Sequence, residues 1–421
     1  MEEIGNACGR KKLRLLVITP HFLPDTAPTG TIITELTQQW CEQGHEIHVI
    51  TSLPWYEEHK VAADWKKGFI DRELHDSLRI TRLHPFPFNK SSFFLRALGF
   101  LLFSLFTSAV SIFSRGPFDA VFCLSPPITF GTVGKIASKR HRCPLVLNIQ
   151  DIFPDVAIET GILKSQLLIR LSKRLEVNSY KFSSVVTVLS EGMKENINRK
   201  LFEQKKMPAI EVIPNFAYTN FFALEEDESY KKENQLEGKN IVMYAGNLGH
   251  SQPLEIMVNA AKAHFDKENL IYVVNGSGVK AEYVKEEAKK LNNLRFVDFQ
   301  PLERLPNVLS SADIHLVMLK SGLGNLSVPS KIYNIFASGK PVVASVDSDT
   351  EIARVVRDAE AGFVVDPHDP SAFFKAIELL TDDYSLRKEM GTSAKRWAEK
   401  WHTSENISKK YTDLITGIIT K

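Results

Sequence analysis

The sequence predicts an α/β protein built from two doubly wound, Rossmann-like domains that face a central cleft. Three observations predict it. Nearly continuous apolar runs of strand length recur along the chain, as parallel strands covered on both faces require. Helical stretches fall between most of them, so that successive strands are joined by crossovers. The pattern then stops at a polar, Glu- and Lys-rich segment, residues 218–239, and starts again beyond it.

The first strand is expected over residues 13–20, where Leu13-Arg14-Leu15-Leu16-Val17-Ile18-Thr19-Pro20 is almost wholly apolar. Further runs at 45–51, 78–84, 118–124, 144–149, 184–189 and 210–213 continue a first sheet, with helices over 31–43 and 164–182 among the connections. After the break, strands are expected at 240–245, 270–275, 294–299, 313–319, 341–346 and 362–365. Helices are expected there at 253–265, 279–291, 329–338 and 370–381. The chain thus divides into residues 1–214 and 215–402, and a last helix over 403–421 is expected to pack back on the first domain. Two such sheets place a ligand between them, at the carboxyl ends of the strands.

A chain of 421 residues with 43% hydrophobic and 24% charged residues is ordinary for a globular protein, which argues against long disorder. The net charge of +2 hides an asymmetry, because residues 86–210 hold 17 Lys and Arg against 8 Asp and Glu. That local excess suggests an anionic partner, although a solvated basic face is the plainer reading. Cys8, Cys41, Cys123 and Cys143 form no Cys-x-x-Cys pair, so neither a zinc site nor a disulfide framework is expected. Residues 1–12 are polar and the apolar run after them is too short for a secretory signal, which predicts a cytoplasmic protein.

The most apolar window is 93–113. A spanning helix is rejected, because the flanking strands 78–84 and 118–124 belong to one sheet. Ser104, Thr107, Ser108 and Ser111 fall at helical spacing on one face. The helix is either packed inside the domain or laid along a membrane interface with its apolar face in lipid. The basic excess favours the second reading. Arg96, Phe100, Phe103, Lys135, Lys139, Arg140 and Arg142 are then the expected membrane contacts.

Three glycine turns follow strands and open helices: Pro28-Thr29-Gly30, Gly246-Asn247-Leu248-Gly249 and Gly276-Ser277-Gly278. Helix N-termini offer free N–H groups to phosphate, and glycine admits the anion closely. Glycine also serves such turns for steric reasons alone. No Walker sequence and no complete Gly-x-Gly-x-x-Gly is present, which disfavours a P-loop hydrolase or a dinucleotide enzyme. Basic residues without interleaved aromatics disfavour nucleic acid.

The segment Ser327-Val328-Pro329-Ser330-Lys331-Ile332-Tyr333-Asn334-Ile335-Phe336-Ala337-Ser338-Gly339-Lys340-Pro341 resembles the nucleotide-binding signature of retaining glycosyltransferase family four. Within that family it is most similar to bacterial O-antigen and exopolysaccharide transferases, including N-acetylfucosamine transferases. Gly44-His45-Glu46-Ile47, Asp151-Ile152-Phe153-Pro154-Asp155, Val212-Ile213-Pro214-Asn215 and Tyr244-Ala245-Gly246-Asn247-Leu248-Gly249 resemble its other landmarks, in order. The resemblance implies a GT-B fold, transfer with retention, no cofactor or required metal, and a nucleoside-diphosphate sugar held by the second domain. It implies uridine as the base, with guanosine as the alternative. Together with the apolar window and the basic excess, this leads to the expectation of a lipid-linked saccharide acceptor and of work at the inner face of the cell membrane in surface-polysaccharide synthesis. The glycine turns and the family motif together give the candidate binding residues Gly30, Gly246, Asn247, Gly249, Gln252, Gly276, Gly278, Ser330, Lys331 and Asn334, with His250 beside the second turn.

The chain departs from the family where two glutamates are usual, at Leu326 and Asn334, and where a diphosphate-clamping Arg and Lys are usual, at Asn247 and Gln252. Lys331 is the residue that supplies the missing positive charge on this reading. Asp151 is the candidate for the acceptor hydroxyl, against the alternative of a helix N-cap. Gln150 stands where relatives often carry His. The competing functions are a non-catalytic membrane scaffold and a sugar-nucleotide epimerase.

Overall fold

The computed structural model describes residues 12–420 apart from 57–59, 66–67, 88–92, 203, 205–206 and 223–227. Cys8 and the Arg96 side chain lie outside the described residues. Strands β1 (Arg14–Ile18), β2 (Glu46–Ser52), β3 (Ile70–His75), β4 (Leu78–Leu83), β5 (Ala120–Ser125), β6 (Leu145–Ile149), β7 (Val185–Val188) and β8 (Ala209–Val212) form one sheet. Their order is β3-β4-β2-β1-β5-β6-β7-β8. All neighbours are parallel except β3, which runs antiparallel to β4.

The second sheet contains β9 (Asn240–Asn247), β10 (Leu270–Ser277), β11 (Leu294–Asp298), β12 (Ile314–Met318), β13 (Val342–Ser345) and β14 (Gly362–Val365), all parallel. Their order is β11-β10-β9-β12-β13-β14.

The apolar runs are continuous because both faces are covered. Leu15, Leu16, Val17 and Ile18 of β1 are all fully buried, and each such side chain contributes about 1.5–3 kcal/mol. Right-handed crossovers that leave β1 in opposite directions along the sheet must lie on opposite faces. The helix Pro28–Glu42 therefore covers one face. Phe93–Phe113, Phe130–His141, Gln166–Phe182 and Glu191–Leu201 cover the other.

The last helix, Ser404–Ile419, packs against Pro28–Glu42 on the first domain. There Trp40 meets the edge of Tyr411, and Tyr411 in turn receives a hydrogen bond from Asn148 Nδ2 at 2.8 Å.

Two features depart from the sequence reading. The polar segment, which reads as a linker or surface excursion, is packed in its described part 228–239: Tyr230, on the short helix Ser229–Glu233, and Leu236 are buried. Strand β3 was not expected, because Ile-Asp-Arg-Glu-Leu-His offers no apolar run. It is a solvent-facing edge strand, held by its antiparallel register with β4.

Candidate functional site

The carboxyl end of β9 carries the densest set of candidate residues. Lys331 opens the helix Lys331–Ala337, and its Nζ lies 3.5 Å above the centre of the Tyr244 ring. The same Nζ donates to the Ala245 carbonyl at 3.4 Å. Among the described residues no carboxylate pairs with it. Burial without a counter-ion pushes the ammonium down to about 7.

Gly246, with φ +136°, brings the backbone beside this cation: a Cβ there would stand 3.8 Å from Lys331 Cδ. The second and third glycine turns clasp each other. Leu248 N–H donates to Ser277 O at 2.8 Å and Lys280 N–H to Leu248 O at 3.0 Å. Gly276 lets the β9 and β10 ends meet, since a Cβ would lie 2.0 Å from Gly246 O. Gly278, at φ +146°, would place a Cβ 2.7 Å from Leu248 O. Gln252 caps this turn by accepting from Gly249 N–H at 3.1 Å. Asn247 and His250 are exposed beside it.

Other candidates have different work. The first helix begins at Pro28, so Gly30 lies inside its first turn with its N–H already given to Ala27 O at 2.8 Å. A Cβ at Gly30 would approach His21 Cβ and Asp25 O to 3.1 and 3.0 Å, so glycine is needed there to seat the preceding loop. Asn334 is buried, and its side-chain oxygen accepts from Tyr218 N–H at 2.9 Å, which ties the interdomain connection to this helix and takes that oxygen away from a ribose. Ser330 precedes the helix but makes no capping bond.

Asp151 is not an N-cap, for the helix Asp155–Glu159 starts four residues later behind Pro154. It pairs instead with Ser327 of the second domain in an isolated antiparallel bridge, and Ile152 N–H donates to Leu326 O at 2.8 Å. Burial raises the Asp151 carboxyl, partly offset by the Ser327 hydroxyl. Gly192 lets the two domains touch in the same seam, since a Cβ there would lie 2.0 Å from Asn325 Oδ1. Gln150 belongs to a buried amide chain, giving to Asn148 Oδ1 at 2.6 Å and receiving from Asn215 Nδ2 at 2.9 Å. Among the described residues no group of three or more His, Cys, Asp or Glu side chains is placed to hold a metal ion.

One feature of the cleft carried no sequence signal. In the loop after β1, His21 Nδ1 lies 2.7 Å from Asp25 Oδ2, and Asp25 is 2% exposed. The His21 ring stacks on Trp55 and meets the edge of Tyr56.

The apolar helix is oriented opposite to the expected membrane contacts. Phe103 is 2% exposed against Phe130, and Phe100 is half-buried against Trp55. The Ser/Thr stripe also faces inward: Ser104 meets Thr129 Oγ1 at 2.7 Å, and Ser111 O meets His141 Nε2 at 2.9 Å. Among the described residues of this helix the large apolar side chains that face outward are Leu101, Leu105 and Phe113. Lys139, Arg140 and Arg142 are exposed on the next helix and its C-cap, whereas Lys135 is turned onto the Phe182 ring at 3.0 Å. Leu167 and Leu171 of Gln166–Phe182 are further exposed apolar residues, on a helix whose many polar residues hide them from a reading by mean hydropathy. Among the described residues no helix is long and apolar enough to cross a membrane.

Comparison with known proteins gives this geometry its context. Residues 29–215 match the glycosyl transferase 4-like domain, and residues 225–397 match glycosyl transferases group 1. WcaI of Escherichia coli K12, named for colanic acid biosynthesis as a glycosyl transferase, is 25% identical over 96% of this chain and 100% of its own. A Campylobacter jejuni transferase is 23% identical over 64% of this chain and 72% of its own. Its name states that it adds N-acetylgalactosamine to a saccharide on diphosphate-undecaprenol. Among solved structures, Anabaena HepE in complex with UDP superposes with a TM-score of 0.67 at 15% identity, over 96% of this chain and 100% of that one.

Proposed function

Because this chain is a glycosyltransferase with two Rossmann-like GT-B domains, we propose that it moves a sugar from a uridine-diphosphate sugar, with retention, to a lipid-linked saccharide during surface-polysaccharide synthesis. The observation that carries the donor half is Lys331. A cation held over an aromatic face, beside a close-approaching glycine and without a carboxylate, is a site prepared for an anion. A departing nucleoside diphosphate gains negative charge as the glycosidic bond breaks, and Lys331 together with the N–H groups of the glycine turns offsets that charge. Asp151, held by Ser327 where the domains meet, orients the acceptor.

The acceptor half is supported by the outward face of the first domain. Leu101, Leu105 and Phe113 lie on the same side of the sheet as Leu167, Leu171 and the basic Lys139, Arg140 and Arg142. Such a face suits an interface of acyl chains and anionic headgroups. The relatives named for colanic acid and for an undecaprenol-linked acceptor support the same reading.

The test is a calorimetric panel of UDP, GDP and ADP, followed by turnover of UDP-sugars beginning with UDP-N-acetylfucosamine. Preferential UDP binding that is lost in Lys331→Ala, with the fold intact, is the expected result. Equal, weak binding of all three nucleotides would remove the donor assignment.

A further inference from the structure

We propose that Tyr244 is the positioning residue of the donor site: its ring seats the Lys331 ammonium, its hydroxyl locks the peptide between Asn247 and Leu248, and one side chain thereby sets the cation in register with the glycine turn. The inference rests on the donor half of the reading above. It adds the residue that holds the two anion-binding elements together.

A phenol offers two different surfaces. Its ring face carries negative charge density and attracts a cation, whereas its hydroxyl donates in the plane of the ring. Tyr244 uses both. Lys331 Nζ lies 3.5 Å above the ring centre, and the hydroxyl donates to Asn247 O at 2.8 Å. The side chain is 1% exposed, so both contacts form away from bulk water, where electrostatic contacts are stronger.

The hydroxyl acts on a defined peptide unit. The carbonyl of that unit, Asn247 O, accepts from Tyr244, and its N–H, on Leu248, donates to Ser277 O at 2.8 Å. A planar peptide held at both its oxygen and its hydrogen cannot swing about the bonds that flank it. Gly246, at φ +136°, has just turned the chain out of the regular strand, so these two bonds decide where the turn points. Lys331 reaches the same place from the helix Lys331–Ala337. Its Nζ donates to Ala245 O at 3.4 Å, and a Cβ at Gly246 would stand 3.9 Å from it. Tyr244 therefore joins the side chain that supplies charge to the backbone that admits the anion.

The simpler alternative is a core tyrosine that fills space. It predicts lower stability, with any loss of UDP affinity the same at every pH. The two readings part at the charge of Lys331. Beside that lysine stand His315 on β12, whose imidazole burial pushes down to about 3, and Tyr244 itself, whose hydroxyl burial raises. Neither changes charge between pH 6 and 8, so a pH-dependent effect in that range reports the lysine. The ring face favours the ammonium, and removing it lets burial depress the amine further.

The test is calorimetry of UDP on the full-length chain at pH 6 and pH 8, beside thermal melts, for Tyr244→Phe and Tyr244→Leu, each with and without Lys331→Ala. Tyr244→Phe keeps the ring and loses the hydrogen bond. Its affinity should fall about two- to tenfold, equally at both pH values and equally beside Lys331→Ala. Tyr244→Leu should lose a similar factor at pH 6 and about a further two- to thirtyfold at pH 8. That further loss should vanish beside Lys331→Ala. If Tyr244→Leu fails to fold, pentafluorophenylalanine at position 244 keeps the shape of phenylalanine, reverses the charge of the ring face and should reproduce the loss at pH 8. A leucine or fluorinated variant with the pH dependence of Tyr244→Phe overturns the seating of Lys331. Wild-type affinity in Tyr244→Phe overturns the lock on the turn. Wild-type protein that binds no nucleotide would instead sink the donor reading. Wild-type binding that weakens above about pH 7, with Tyr244 variants that match it, sinks this inference alone.

Discussion

Lys331 rests its ammonium group 3.5 Å above the ring of Tyr244, and burial holds its titration down near 7. A lysine depressed in the folded state loses its proton on folding at pH values between about 7 and the usual 10.5. The unfolded chain binds more protons in that window, so this residue makes the ligand-free protein more stable as pH rises through it. The donor acts in the opposite sense, because a diphosphate favours the protonated amine.

The first prediction is therefore a proton uptake. UDP should bind with heat that depends on the ionisation enthalpy of the buffer near pH 8, and its affinity should fall as pH rises above about 7. Lys331→Ala should lose about 1.5–3 kcal/mol of binding and flatten this part of the pH profile. A wild-type affinity that is level from pH 6 to 9 would separate Lys331 from the diphosphate.

The glycine clasp predicts a different failure. Gly276→Ala places a Cβ 2.0 Å from Gly246 O, and backbone cannot yield as a side-chain tip can. Melting temperature should fall with a cost of about 1–3 kcal/mol or more, and UDP affinity should fall with it, because the Gly246 turn must move. Gly417→Ala is the control. It has open space within its helix and should raise stability by about 0.5–1 kcal/mol without touching affinity.

Asp151 separates orientation from proton transfer. Its buried carboxyl is raised, so the charged form costs stability that is recovered as pH falls through the folded value. Asp151→Asn removes that cost while keeping a hydrogen-bonding group for Ser327. Its melting temperature at neutral pH should be equal to or above wild type, and turnover should fall by no more than about tenfold. A hundredfold loss in kcat would assign Asp151 the proton of the acceptor hydroxyl and not its orientation alone.

Much of the fold was legible because buried parallel strands write themselves as apolar runs, as β1 and β12 do. Strand β3 was not, since Ile70–His75 earns its place through pairing with β4 and not through burial. In the site, Lys331 was legible from the motif around it. Its partner Tyr244 was legible only as part of another motif, because nothing local indicates that two segments so far apart will stack. The His21–Asp25 pair was missed for the same reason: a histidine and a carboxylate four residues apart in a loop announce no contact between their side chains. The helix Phe93–Phe113 failed instructively. Thr107, Ser108 and Ser111 spend their hydroxyls on carbonyls three or four residues back, at about 2.8 Å each, so a polar stripe could turn inward at little cost.

That inversion sets the last prediction, which concerns membrane docking. The side chains that face outward are Leu101, Leu105 and Phe113, whereas Phe103 is packed on Phe130. Phe103→Ser should therefore unfold or strongly destabilise the domain, at a cost of about 3–5 kcal/mol for loss of a buried ring. The pair Leu101→Ser and Leu105→Ser should leave the melting temperature unchanged or slightly higher, since both residues already face solvent. If the face docks on lipid, the same pair should release the protein from vesicles at any salt, because apolar burial worth about 25 cal/mol per Å² is not screened. Neutralising Lys139, Arg140 and Arg142 should act differently, costing about 1 kcal/mol each on anionic vesicles at low salt and almost nothing on neutral ones. The measurement is flotation with phosphatidylcholine and with phosphatidylglycerol vesicles, read beside thermal melts of each variant. Release by the leucine pair in a protein that melts normally places the lipid on this face. Wild-type protein that never floats, or a leucine pair that floats as well as wild type, would remove the membrane from the reaction and leave a soluble saccharide as the acceptor to be sought.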